Sequence, residues 1–205
     1  IIGSAELLEN GLVKPEDQPR FLNRIHQEAD RLVALINDIL RLSQLDEGGA
    51  LPHEQVSVLE LAQEAARSLT AQAAAQAVHI SVTGTAGTVF GVRRLLYEIA
   101  RNLCENAVKY NVPGGSVTVE VAETDRDVTL LVRDTGIGIP EGDQSRVFER
   151  FYRVDKSHSR AIGGTGLGLS IVKHAVAYHH GTLRLESQPG KGTVITVTLP
   201  KEPTE

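Results

Sequence analysis

Val128-Thr129-Leu130-Leu131-Val132-Arg133-Asp134-Thr135-Gly136-Ile137-Gly138-Ile139-Pro140 runs from an alternating apolar segment straight into a loop of spaced glycines. Val128, Leu130 and Val132 repeat at a period of two, as on a half-buried strand. Gly136 and Gly138 carry no Cβ, so the loop can approach a ligand closely, and Asp134 at the strand end can accept a hydrogen bond. Turns also collect glycine, so this stretch alone is a modest functional signal. Residues 117–122 alternate in the same way and join it through a turn at Thr124-Asp125-Arg126-Asp127, which predicts a hairpin. Further towards the N-terminus the patterns predict a long helix over 92–110, strands over 88–90 and 78–82, an Ala-rich helix over 59–76 and a short strand over 56–58. Towards the C-terminus they predict a short helix ending at Phe148, a helix over 168–179 and strands over 182–187 and 193–199, joined by Gln188-Pro189-Gly190-Lys191-Gly192. Helices mixed with mostly hairpin-linked strands predict an α+β fold, a two-layer α/β sandwich.

Residues 1–49 follow another period. Phe21, Ile25, Leu32, Leu35, Ile39 and Leu42 share one helical face, with Ile25, Leu32 and Ile39 a heptad apart. Pro15-Glu16-Asp17 suits a first helical turn and Gly48-Gly49 a helix end. Residues 5–10 read as the tail of an earlier helix stopped at Asn10-Gly11. The result is a partial helical hairpin whose apolar seam needs a cover. A dimeric four-helix bundle supplies one, and packing on the chain's own globular part is the alternative.

The chain has 205 residues, 41% hydrophobic and 23% charged, which excludes a disordered or fibrous protein. At ~150 residues per domain, this length calls for a second, smaller module. A net charge of −5, without a basic face, argues against broad nucleic-acid binding. One cysteine, Cys104, cannot form an internal disulfide and reads as a small buried apolar residue. No apolar run reaches the ~18 residues that span a bilayer. The first residue is Ile1 and methionine is absent, so the chain is expected to be a piece of a longer protein.

On the helix over 92–110, Asn102, Asn106 and Lys109 fall within roughly a 60° sector beside Leu96, Ile99, Leu103 and Ala107. Carboxamide oxygens suit Mg²⁺ and a lysine suits phosphate, although a solvated helix face would look the same. Gly163-Gly164-Thr165-Gly166-Leu167-Gly168-Leu169 then leads directly into a helix, an arrangement that can cradle phosphates. It is not a dinucleotide fingerprint, since no βαβ unit surrounds it, and Gly190-Lys191-Gly192-Thr193 is not a P-loop.

Taken together these segments resemble sensor histidine kinases of two-component systems. Asn102-Leu103-Cys104-Glu105-Asn106-Ala107-Val108-Lys109-Tyr110 resembles their N box and Asp134 to Gly138 their G1 box. Phe148-Glu149-Arg150-Phe151-Tyr152-Arg153 resembles their F box, and Gly164 to Leu169 their G2 box. The resemblance implies a Bergerat-type ATP-binding domain over residues 50–200, a polar tail over 201–205, and a partial dimerisation and phosphotransfer hairpin over 1–49. It implies Asn106 as the Mg²⁺ ligand, Asn102 and Lys109 near the triphosphate, and Tyr110 along the ribose or adenine. Asp134 would accept a hydrogen bond from the adenine amino group, with Thr193 assisting and Gly136 and Gly138 letting the backbone approach the base. Arg153 would be the cation nearest the γ-phosphate. Gly164, Thr165, Gly166, Leu167 and Gly168 would wrap the phosphates, and residues 154–163 would form a mobile lid.

The implied reaction is transfer of the ATP γ-phosphoryl to a histidine, for relay to the aspartate of a response-regulator receiver domain. The implied catalytic residues are Asn102, Lys109 and Arg153. Relatives that hydrolyse ATP carry a glutamate one turn before the metal-ligating asparagine. Asn102 cannot take a proton, so hydrolysis is expected to be slow. A Bergerat-fold ATPase acting as a conformational clamp and a non-catalytic nucleotide-binding module are the alternatives. The family's acceptor histidine is followed by an acid and then a proline, and none of the seven histidines here has that setting. The acceptor is therefore expected upstream, and this chain is expected to bind ATP without phosphorylating itself. His174, His179 and His180 could suggest a metal cluster, but helix-end capping is the preferred reading. Homodimerisation through the hairpin, a place on the cytoplasmic face, and membrane anchoring only through segments outside this chain complete the expectations.

Overall fold

The computed structural model describes residues 2–46, 51–154 and 165–202. The elements in chain order are α1 Ile2–Glu9, α2 Gln18–Asp46, β1 Glu54–Ser57, α3 Val58–Ser68, α4 Thr70–Ala75, β2 His79–Gly84, β3 Thr88–Gly91 and α5 Arg93–Lys109. They continue with β4 Ser116–Glu123, β5 Asp127–Asp134, α6 Glu141–Gln144, α7 Gly168–Tyr178, β6 Thr182–Gln188 and β7 Gly192–Pro200.

Five strands form a mixed sheet in the order β2-β4-β5-β7-β6, and β1 pairs with β3 in a separate two-stranded sheet. The two predicted hairpins are present, β4 with β5 and β6 with β7. The β2–β4 pair is parallel, with β3 and α5 lying between the two strands in sequence. The helices cover one face of the sheet. Val117, Val119, Val121, Val128, Leu130, Val132, Val197 and Leu199 supply the strand side of a continuous core. Leu61, Ala65, Leu96, Ile99, Leu103, Val172 and Val176 meet them from α3, α5 and α7. The alternation of buried and half-buried residues along β4, β5 and β7 is the pattern of a sheet covered on one side. This is the expected two-layer sandwich.

Two expected helix bounds change. Residues 59–76 form two helices instead of one, broken at Leu69 with φ −101° and ψ 1°. The hydroxyls of Ser68 and Thr70 donate to the carbonyls of Ala65 and Arg67, competing with the helical ladder there. Pro15, Glu16 and Asp17 form a turn before α2, which begins at Gln18. The Asn10-Gly11 stop is as expected. Gly11 takes φ +65°, with Gly11 N–H donating to Leu8 O and Leu12 N–H to Leu7 O, a Schellman closure.

In the hairpin Phe21 and Ile25 are half-buried, while Leu12, Leu22, Leu32, Val33 and Ile36 are exposed. The side chains of Leu35, Ile39 and Leu42, and the Gly48-Gly49 stop, lie outside the described residues. Among the described residues no helix is long and apolar enough to cross a membrane.

His180 takes φ +55° at the end of α7, with Gly181 N–H donating to Val176 O, so this end also closes by a Schellman motif. The buried His179 does more. Its Nε2 accepts from Val92 N–H at 3.0 Å, which requires the proton on Nδ1, and Nδ1 then donates to Ala175 O at 2.7 Å. Val92 caps α5 without a side-chain bond of its own, so the imidazole from α7 satisfies that helix start. Burial holds His179 below the ordinary value of 6.5, outweighing the opposing bond to Ala175. A ring with a lowered folded pKa stabilises the fold above 6.5, and that contribution is lost as the pH falls from 6.5 through the folded value. The thermal midpoint, followed by circular dichroism, is expected to drop on acidification across this window. The non-titrating His179→Phe variant, less stable at neutral pH, is expected to drop less.

Candidate functional site

The end of β5 and the loop after it are held by bonds that converge on Asp134. Its Oδ1 accepts from Gly136 N–H at 2.8 Å and from Thr193 N–H at 3.2 Å. Both of these donors sit on Oδ1, and no described residue donates to Oδ2. Burial pushes this carboxyl above its ordinary value and outweighs the two N–H groups that pull it down. The loop sits on the end of α5, where Ile137 N–H donates to Tyr110 O at 3.0 Å. A Cβ on Gly136 would lie 2.3 Å from that same oxygen. Gly138, at φ +68°, packs so closely on the β6–β7 turn that a Cβ would lie 2.1 Å from Gln188 O. What crowds both glycines is therefore protein backbone.

Several positions without a sequence signal build this corner. Ser187 Oγ accepts from Ile139 N–H at 2.8 Å and shares a hydrogen bond with Thr193 Oγ1 at 2.9 Å. Gln144 Nε2 donates to Ile139 O and Ser187 O, clamping the loop between α6 and β6. Asn111 Nδ2 donates to Ala107 O and Ser116 O, while Thr135 Oγ1 donates to Asn111 Oδ1. Asn111 lies next to a Pro-Gly-Gly turn, the one cue that could have flagged it.

The other half of the site lies between α5 and the start of α7. Asn102 Nδ2 donates to Glu98 O at 2.8 Å and to Glu98 Oε2 at 3.3 Å. With the amino group so engaged, Oδ1 faces α7, where a Cβ on Gly168 would lie 2.9 Å from Asn102 Oδ1 and 3.8 Å from Asn106 Nδ2. The two asparagines and the first residue of α7 thus adjoin, and a Cβ at Gly168 would push the Asn102 carboxamide aside. Leu167 is fully buried with Ile171 and forms a small core of its own under this helix start. Leu167 N–H donates to Thr165 Oγ1, and Ser170 Oγ donates to Leu167 O.

The segment after α6 is strapped to the same place. Phe151 N–H donates to Gly166 O at 2.9 Å, with Gly166 at φ +78° and Phe151 at φ +65°. Tyr152 OH donates to Asp143, and the Arg146 guanidinium stacks 4.2 Å from the Tyr152 ring centroid. Lys109 Nζ lies 5.9 Å from the Tyr110 ring centroid. Burial raises the Tyr110 hydroxyl above its ordinary value, and the Arg153 guanidinium opposes that rise, which puts Arg153 within electrostatic reach of the ring. Gly164 and residues 155–163 of the expected lid lie outside the described residues.

The structure thus brings Asn102 and Asn106, in the second half of α5, together with Thr165, Gly166, Leu167 and Gly168 at the start of α7. It brings Asp134, Gly136, Gly138, Tyr110 and Thr193 together at the other corner, with Lys109 Nζ 5.9 Å from the Tyr110 ring and the Arg153 charge within electrostatic reach of the Tyr110 hydroxyl. Cys104, on the same helix as the asparagines, is fully buried and its thiol is pushed up to about 12, so it stays protonated and unreactive. His174 hydrogen-bonds Arg150 at 3.3 Å, and His179 faces the core. Among the described residues no three His, Cys, Asp or Glu side chains are grouped to hold a metal.

Residues 91–203 match the family described as Histidine kinase-, DNA gyrase B-, and HSP90-like ATPase. Residues 1–48 match the His Kinase A phospho-acceptor domain. The chain is 40% identical over 210 residues to the sensor-like histidine kinase SenX3 of Mycolicibacterium smegmatis, covering 98% of this chain and 54% of the relative. It therefore spans about half the length of that curated relative. Among solved structures, the mycobacterial sensor histidine kinase MprB is 33% identical with a TM-score of 0.64, over 75% of this chain and 100% of that one. Full-length ShkA in complex with AMPPNP is 27% identical with a TM-score of 0.75, over 97% of this chain and 42% of that one.

Proposed function

Because the chain belongs to the sensor histidine kinases, we propose that residues 50–200 bind ATP with Mg²⁺ and transfer its γ-phosphoryl to a histidine of the helical module. The observation that carries the reading is the joining of two half-sites on one helix. At the last turn of α5, Asp134 keeps Oδ2 for a base. Two turns and one turn before Tyr110, Asn102 and Asn106 adjoin the Cβ-free start of α7.

The residues present fit a magnesium nucleotide. Carboxamide oxygens are hard neutral ligands suited to Mg²⁺, and the backbone N–H groups of a helix start suit phosphate oxygens. Asn106 would hold the metal, with Asn102 and Lys109 near the phosphates. Bound Mg²⁺ would neutralise charge on the β- and γ-phosphates. Thr165, Gly166, Leu167 and Gly168, with Gly164 before them, would line the phosphates. Asp134 would orient adenine, Thr193 and Gly136 would orient Asp134, and Tyr110 would lie along the ribose or the base. Phosphoryl transfer asks the protein for alignment and charge more than for covalent help, and Arg153 would stabilise the charge on the moving group.

Asn102 cannot activate water, and the buried acid on this helix, Glu98, lies two turns before Asn106. Transfer to a presented histidine is therefore favoured over hydrolysis. The hairpin over residues 1–49, matched to the phospho-acceptor domain, would pair with a second copy through its exposed apolar residues. The receiver domain of a response regulator would take the phosphoryl group onward, and the protein would work at the cytoplasmic face, with any membrane anchor outside this chain.

The test is a labelling experiment with γ-labelled ATP, Mg²⁺ and a separately prepared helical bundle carrying an acceptor histidine. Acid-labile, alkali-stable label on the bundle is the expected result. ATP binding without label would overturn the transfer, and absence of Mg²⁺-dependent ATP binding would overturn the whole reading.

A further inference from the structure

Glu98 is one of four polar residues with buried side chains among the described residues, at 7% exposure. It lies on α5 at the edge of the helix's buried apolar face, which carries Leu95, Ile99 and Leu103. A carboxylate in such a place costs free energy unless its oxygens are used. One use is at Asn102, one turn on. One Nδ2 hydrogen goes to the Glu98 carbonyl at 2.8 Å and the second reaches Oε2 at 3.3 Å.

A carboxamide has two ends that differ in sign, and a single bond to the backbone leaves the group free to rock about its χ angles. With both amino hydrogens held by Glu98, the amide plane is fixed and Oδ1 is the end presented to the start of α7. There it stands 2.9 Å from the point where a Gly168 Cβ would lie. If the amide turned over, a donor would replace an acceptor at the place proposed for the metal-bound triphosphate, and the sign of that contact would reverse.

We infer that Glu98 is a positioning residue for the magnesium–nucleotide site, acting through Asn102 by holding its carboxamide oxygen towards the N-terminus of α7. The inference rests on the proposed nucleotide site and deepens it. Glu98 itself touches neither nucleotide nor metal. Its electrostatic part is secondary to the geometry, because the neutral glutamine side chain can also accept from Nδ2.

The experiment is a titration of a fluorescent ATP analogue with Mg²⁺ and again with chelator, on Glu98→Leu, Glu98→Gln and Asn102→Ala and on the Glu98→Leu/Asn102→Ala double variant, each checked for its thermal transition. Loss of one charge-assisted hydrogen bond that orients a ligand is expected to weaken Mg²⁺-dependent affinity about tenfold in Glu98→Leu. Glu98→Gln keeps an acceptor and should stay within about threefold of the parent, a neutral bond replacing a charged one. In the Asn102→Ala background Glu98→Leu should change nothing further, because the group it orients is gone.

An equal loss in both backgrounds would overturn the inference, as would an unchanged affinity in a folded Glu98→Leu. If Glu98→Leu does not fold, Glu98→Asp replaces it. Its carboxylate is one methylene short of Asn102 and should weaken Mg²⁺-dependent binding, and retention of parental affinity would again overturn the inference. If the parent itself binds no nucleotide, the failure belongs to the proposed function instead.

Discussion

Replacing Asp134 by asparagine is expected to weaken ATP binding about a hundredfold, the effect of one lost charge-assisted bond plus one mispaired donor in a buried site. The geometry makes this a clean substitution. Gly136 N–H and Thr193 N–H both donate to Oδ1, so an asparagine placed the same way keeps its carbonyl oxygen on those two donors. Its amino group then replaces Oδ2. A base presenting an amino group would meet a donor where it needs an acceptor. Turning the amide over would repair that contact and break the two backbone bonds. Burial already disfavours the charged form of Asp134, so the neutral asparagine carries a smaller desolvation cost and the fold should keep its stability. Calorimetric titration with ATP and with GTP checks the prediction. Parental affinity for ATP in the variant would remove Asp134 from the base site, and a relative gain for GTP would support its role in choosing the base.

The second large effect is expected at Arg153, in the rate of transfer. Removing a single pre-positioned charge that meets developing negative charge costs about 10²–10³ in rate. Arg153→Ala is expected to slow labelling of a supplied acceptor bundle by this amount while changing ADP affinity by less than about threefold, since ADP lacks the group that moves. Arg153 is half-buried, and its charge reaches the Tyr110 hydroxyl. Single-turnover labelling at saturating ATP, beside an ADP titration, separates the two quantities. Equal losses in both would make Arg153 a general nucleotide-binding residue.

Much of the fold could be read from local pattern. The period-two segments became β4, β5, β6 and β7, and the 3.6-period segments became α2, α3, α5 and α7, because each pattern records which face an element buries. The break at Leu69 escaped, since the Ala-rich composition favours helix on both sides and the hydroxyls of Ser68 and Thr70 act only through their own turn. The site was legible where one element carries its chemistry. Asn102, Asn106 and Lys109 share a helix stripe, and the glycines after β5 and before α7 stand in short runs. Glu98 carries no such signal although it lies one turn from Asn102, because spacing shows that two residues can meet and says nothing of how deeply they are buried.

Local pattern alone carried the order and type of nearly all elements (the split at Leu69 apart), the family resemblance through four motifs, and the residues with the chemistry to meet a nucleotide. Only the tertiary structure decided that β2 runs parallel to β4, that Thr193 reaches across 59 residues to fix Asp134, and that His179 reaches across 87 to cap α5. Periodicity is a local property, set by backbone geometry over a few residues. These contacts depend on strand register and on which helix ends the fold places side by side. No single segment contains that information.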